Sequence, residues 1–115
     1  MVNKVILVGN VGRDPEVRYV SANLPTTTLS LATSETYTDK QGVQQTRTEW
    51  HRVVLWNALA AVAEKYVRKG TQLYIEGRLA TRNYTDKTGV QRSVTEVIAE
   101  EMKLLGARPS TSANE

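Results

Sequence analysis

Only one stretch of this chain repeats its apolar residues at the spacing of a helix, and its position constrains the fold more than any other feature. "NALAAVAEKYVRKG", residues 57–70, places Leu59, Val62, Ala63, Tyr66 and Val67 on one stripe. Asn57 is predicted as the N-cap, Arg68 and Lys69 suit the negative C-terminal end, and Gly70 marks the stop. Tyr66, in step with Leu59 and Val62, is expected in the core. To either side the chain reads as strand.

"VNKVILVG" (residues 2–9) is almost continuously apolar and β-branched, as in a strand covered on both faces. "GRDPEVRYV" follows, with Pro15 marking a turn and a short extended piece after it. In "TTTLSLATSET" (Thr26 to Thr36), Leu29 and Leu31 point one way, Ser30 and Ala32 the other. A third strand is "EWHRVVLWN", entered through "QTRTEW"; Trp50, Arg52, Val54 and Trp56 share one face and His51, Val53 and Leu55 the other. Beyond the helix, "TQLYIEGRLATRNY" puts Leu73, Ile75 and Leu79 on one face, with Gly77 between them, and Tyr74, Glu76, Arg78, Arg82 and Tyr84 on the other. The last strand, about Ser93 to Leu104, changes parity at Val97–Ile98, which predicts a bulge or frayed register there.

Three strands, a helix and two strands is the order of an all-β domain with one helix. It is the order of the OB-fold, a five-stranded Greek-key barrel with the helix between strands 3 and 4. A sandwich would not explain a single good helix at that point, and a doubly wound α/β fold would need several. At 115 residues the chain has room for one core. Residues 1–106 are expected to form the domain. Residues 107–115, aperiodic and without core residues, are expected to form a flexible tail.

The chemistry available is narrow. With one histidine, no cysteine and no Walker-type phosphate loop, neither an enzyme, a cofactor nor a metal site is expected. "GNVGRD" lacks the lysine–hydroxyl ending and opens no helix, and His51 beside Glu49 has no ligand partners at a recognisable spacing. The apolar start, "MVNKVILVGNVG", is too short for a signal peptide's apolar region, and no run is long enough to span a bilayer, so no membrane partner is expected. The formal net charge of +3 permits an anionic partner without requiring one.

Two short segments echo each other: "YTDKQGVQ" from Tyr37 and "YTDKTGVQ" from Tyr84, each between consecutive strands. Each carries a tyrosine, an Asp-Lys-x-Gly turn and a lysine at its tip, Lys40 or Lys87. They read as two fingers presenting the same chemistry on either side of a groove. Proteins that hold single-stranded nucleic acid combine aromatic stacking platforms with a cationic track. Tyr37, Trp50, Trp56 and Tyr84 form the candidate platforms, with Arg52 between the tryptophans and Arg78 and Arg82 on the face of Tyr84. Arg47, Lys69 and Arg92 extend the track. Strand 1 is apolar on both faces, Val5 and Leu7 on one and Ile6 and Val8 on the other, and one small barrel covers only one of them well; this predicts that strand 1, with Ile6, meets another copy, with His51 nearby. Tyr74 and Glu76 are expected at a second interface, Lys4 pairing with Glu76 across it; two such interfaces give a dihedral tetramer.

"NKVILVGNVGRDPEVRY", "TEWHRVVLWN" and "YIEGRLATRNYTD" resemble, in order and spacing, the bacterial single-stranded DNA-binding protein family. The resemblance covers residues 1–106. It implies a homotetramer of OB domains that binds single-stranded DNA without strong sequence preference during replication, recombination and repair, in the bacterial cytoplasm at the nucleoid. It puts base stacking at Tyr37, Trp50, Trp56 and Tyr84, cationic contacts at Arg52, Lys69 and Arg82, and subunit contacts at His51, Tyr74 and Glu76. A phenylalanine commonly stands where Trp56 is, and a lysine where Ala58 and Asn83 are, implying fewer phosphate contacts there. Family members usually recruit replication and repair proteins through a linker and an acidic tip; "RPSTSANE" carries no such tip. An RNA-binding or primosome-type OB protein and a protein–protein adaptor stay open as alternatives.

Overall fold

The computed structural model describes residues 1–21 and 24–105. Six strands and one helix run in the order β1 (Val5–Val11), β2 (Glu16–Ser21), β3 (Leu24–Thr38), β4 (Gln44–Trp56), α1 (Asn57–Tyr66), β5 (Gln72–Thr85) and β6 (Gln91–Leu105). Five of these strands close on themselves as β1–β5–β6–β4–β3–β1. The expected five-stranded barrel is therefore present, with the helix entering after its third strand, here β4. The short extended piece after Pro15 is β2, which pairs with β3 outside the closed ring.

Closure depends on two short pairings. β1 meets β3 through Asn10↔Ala32 and Val11↔Leu31, and β4 meets β6 in parallel through Val53↔Val97 and Val54↔Ile98. Gly9 makes the first seam feasible, because a Cβ there would run into the Ala32 carbonyl. The alternating apolar residues fill the barrel: Leu29 and Leu31 from β3, Val53 and Leu55 from β4, Leu73 and Ile75 from β5 are all fully buried. Asn3 extends the β1–β5 ladder by one side-chain step, donating to the Leu79 carbonyl and accepting from its N–H, both at 2.9 Å.

Four expectations are corrected. Helix α1 buries Ala60 and Ala63, with Val67 just beyond it and Leu59 partly covered. The stripe is turned toward the small residues because they let the helix backbone reach Thr27, whose hydroxyl donates to the Ala60 carbonyl at 3.1 Å. Tyr66 consequently lies outside the core, 57 % exposed. Asn57 is not a side-chain cap: Trp56 occupies the N-cap position, and Asn57 has φ +56°, a left-handed step that turns β4 directly into the helix. The parity change in β6 falls at Glu100, not Val97–Ile98, since Glu76 pairs with Glu101 and Gly77 with Ala99. Leu79 lies past this bulge and is exposed, although Val97 opposite it on β6 is buried in the core. The tail predicted at 107–115 lies outside the described residues.

Candidate nucleic-acid interface

β3–β4 and β5–β6 continue beyond the barrel as two exposed ribbons. Their turns share one set of aspartate bonds, and the second adds one from the Thr88 hydroxyl to Asp86 Oδ1 at 2.7 Å. Asp39 Oδ1 accepts from the N–H groups of Gln41 and Val43, both at 2.9 Å. Asp86 Oδ1 accepts from those of Thr88 and Val90, at 2.9 and 3.0 Å. Gly42 (φ +82°) and Gly89 (φ +86°) take the left-handed step that each turn needs. The other oxygen of each aspartate is also used: Asp39 Oδ2 accepts from Gln45 at 3.1 Å and Asp86 Oδ2 from Arg92 at 2.6 Å. These bonds, with Arg92 contributing most, hold the Asp86 carboxyl down to about 2. The Val43 N–H and then the Gln45 amide lower that of Asp39.

The likeness extends past the eight-residue echo. A Ser34–Thr48 hydroxyl pair at 2.9 Å on one ribbon is matched by Thr81–Thr95 at 3.0 Å on the other. The wider signal was present in the alignment of residues 34–49 with 81–96, both ending in Thr-Glu. Lys40 and Lys87 are exposed at the tips. Tyr37 and Tyr84 are both partly exposed, and each ring has a guanidinium over it, Arg47 at 4.5 Å from the first centroid and Arg82 at 5.5 Å from the second. Arg47 comes from the strand opposite Tyr37 and sits 3.3 Å from Glu35, whereas Arg82 comes from the same strand as Tyr84.

Between the ribbon roots, the outer face of β4 carries both tryptophans. Trp50 is 56 % and Trp56 45 % exposed, above a fully buried Val53 and Leu55. Trp50 lies across Gly12, where a Cβ would stand 2.7 Å from its Cη2. Trp50 also borders an open depression with Arg13, Thr28, Ser30 and Arg52. Arg13 carried no periodic signal and was not expected there.

Arg52 is not free between the tryptophans. Its Nε donates to Glu96 Oε2 at 2.6 Å, and Arg82 donates to the same carboxylate from Nε at 3.2 Å and Nη2 at 3.4 Å. The Glu96 side chain is 6 % exposed. Burial acts to raise its carboxyl, but the two guanidiniums outweigh burial and hold it below the ordinary range. Glu96, too, was unread in the sequence.

The remaining candidates are more scattered. Arg78 lies 3.9 Å from Glu100, and Arg92 is tied to its own turn. Lys69 is exposed beside the β1–β2 loop, its backbone N–H bound to Asp14 at 2.8 Å. On β1, Ile6 is 56 % exposed, with Val8 exposed beside it. Lys4 bonds Glu76 at 2.9 Å within the chain, across neighbouring strands rather than between copies. Tyr74 donates to Glu76 Oε2 at 2.7 Å, completing that cluster. His51 Nε2 is 2.8 Å from the Thr33 hydroxyl.

A family model described as "Single-strand binding protein family" matches residues 2–105. The chain belongs to that family. It is 47 % identical over 107 residues to Single-stranded DNA-binding protein 1 of Xylella fastidiosa, covering 92 % of this chain and 79 % of that one. Among solved structures, the Plasmodium falciparum SSB complex with ssDNA superposes with TM-score 0.83 at 29 % identity, covering 92 % of this chain and 97 % of the other. A deletion mutant of the single-stranded DNA-binding protein from Thermus aquaticus gives TM-score 0.79 at 32 % identity, covering 93 % and 52 % respectively. No helix among the described residues is long and apolar enough to cross a membrane.

Proposed function

We infer that this chain binds single-stranded DNA without strong sequence preference and protects it during replication, recombination and repair. The observation that carries the reading is the set of exposed rings interleaved with cations: Tyr37, Trp50, Trp56 and Tyr84, with Arg13, Arg52, Arg78, Arg82, Lys40, Lys69 and Lys87 around or beyond them. Stacking accepts any base, and the cations track the phosphates, so the combination is tolerant of sequence. The two tryptophans are six residues apart on one strand face, roughly 20 Å at about 3.3 Å per residue, so they meet different nucleotides. Quenching of tryptophan emission by oligothymidylate tests this. RNA and duplex DNA serve as competitors; an RNA preference, or no quenching by DNA, would refute it.

The working form is a homotetramer acting in the bacterial cytoplasm at the nucleoid. The exposed Ile6 and Val8 support one contact between copies. From Val5 to Gly9, the β1 edge away from β5 has no strand pairing among the described residues, and it offers backbone groups to a second copy. His51 lies near this contact, and the Lys4–Tyr74–Glu76 cluster forms part of the other. Sedimentation reads the assembly directly, and a stable monomer at micromolar concentration would overturn it.

A further inference from the structure

Glu96 sits where β6 stops pairing with β5 alone and begins to pair with β4 as well, so it lies at the seam between the two ribbon roots. A single carboxylate, almost wholly buried, receives one arginine from each side. Three of the six guanidinium nitrogens are committed to it, leaving both terminal nitrogens of Arg52 and one of Arg82. The cluster therefore carries a net charge of one unit rather than two. A carboxylate and a phosphodiester present similar paired oxygens to arginine, so both draw on the same donors.

We propose that Glu96 is a built-in counter-ion in the Arg52–Arg82 phosphate site, lowering the affinity of this chain for single-stranded DNA. The proposal rests on the DNA-binding reading above. Glu96 is ionised at neutral pH, because the two guanidiniums more than offset its burial. Phosphate and carboxylate then compete for the same nitrogens, and bound DNA is more readily released than from an uncompensated arginine pair.

The test is a salt series of oligothymidylate titrations on the full chain, comparing wild type, E96Q, R82A and R82A/E96Q. The charge of the cluster is +1, +2, 0 and +1 in that order. One phosphate contact corresponds to about 0.7 in the slope of log K against log salt, or roughly a 2.6-fold difference in affinity loss over a fourfold salt rise. E96Q binds more tightly than wild type at low salt and has a slope steeper by about 0.7; R82A is weaker and shallower by a similar amount. R82A/E96Q returns to near the wild-type slope, because Arg52 is no longer neutralised. A purely structural Glu96 cannot produce this rescue. Melting and sedimentation verify each variant. If E96Q alone fails to fold, R82A/E96Q and R52A/E96Q decide, since each holds one arginine without a crowding neighbour. Weaker binding by E96Q, or a double variant no better than R82A, would overturn the role of Glu96 while leaving the DNA-binding reading intact. Failure of the wild type to bind would overturn both.

Discussion

Gly12→Ala is the sharpest perturbation of the tryptophan face, because it moves Trp50 without removing it. A Cβ at position 12 would stand 2.7 Å from Cη2 of the indole, and Cζ3 comes closer still. A normal carbon contact needs about 3.5–4.0 Å, so the ring must withdraw by roughly 1 Å or more. It has room, being 56 % exposed. Less than half of a tryptophan's surface is in contact here, on the order of 100 Å², worth at most about 2.5 kcal/mol at ~25 cal/mol per Å². Displacement forfeits only part of that. Replacing glycine by alanine also recovers about 0.4–1 kcal/mol by restricting the unfolded chain. Stability should therefore change by about 1 kcal/mol or less. Binding should fall more visibly. Trp50→Ala sets the ceiling, about 1–3 kcal/mol for one stacked base, or roughly 5- to 140-fold in affinity. Gly12→Ala should fall inside that range and reduce the quenching by oligothymidylate. Urea melts and fluorescence titrations on the same two variants check both quantities. Full affinity in Trp50→Ala with a stability loss of about 3–5 kcal/mol, the cost of a core aromatic, would refute the placement of this ring on the DNA surface.

Other substitutions probe the frame around that face. Asn57→Gly should match or exceed wild-type stability, whereas Asn57→Ala should lose about 1–2 kcal/mol in thermal melts, because φ +56° crowds a Cβ. The folded Asp86 carboxyl titrates at about 2, below its ordinary 3.8. Its contribution is therefore present above pH 4 and lost as pH falls from about 4 to about 2. Asp86→Asn should flatten the pH dependence of the urea midpoint in that window, and an unchanged curve would contradict the turn bonds. Ile6→Lys should leave the barrel's melting within about 0.5 kcal/mol per chain when dilute, since the residue is exposed there. The same change should shift sedimentation toward smaller species; an unaltered tetramer would remove β1 from the interface.

Much of this architecture is legible because a strand's period of two reports directly which face a residue takes. Leu29 and Leu31, Val53 and Leu55, and Leu73 and Ile75 each share a face on that ground, and all are buried. The turns were legible because aspartate and glycine act on their own backbone within a few residues. Alternation does not say where a core ends. Leu79 keeps the parity of Ile75 and pairs with the buried Val97, yet it stands beyond the bulge at Glu100 and is exposed. Nor does helical spacing say how closely a helix approaches its neighbour. Hydrophobicity favoured Val62 and Tyr66, while close packing against β3 favoured Ala60 and Ala63. Asn57 served two readings equally, since asparagine both caps helices and tolerates the left-handed region.

The charged cluster lay further out of reach. Arg52 and Glu96 are 44 positions apart and meet only because β4 and β6 pair in parallel for two residues. Nothing local to either one encodes that seam. Reading Arg52 as a free cation between two tryptophans was sound for the strand alone, and the barrel supplied a counter-ion from a different strand. Charge sums and face assignments can thus place a cation on a ligand surface, but its effective charge depends on which strands the closed sheet makes neighbours. E96Q measures that dependence: a slope that steepens by about one phosphate would mean that the DNA affinity of this surface is set as much by the acid buried beneath it as by the bases displayed on it.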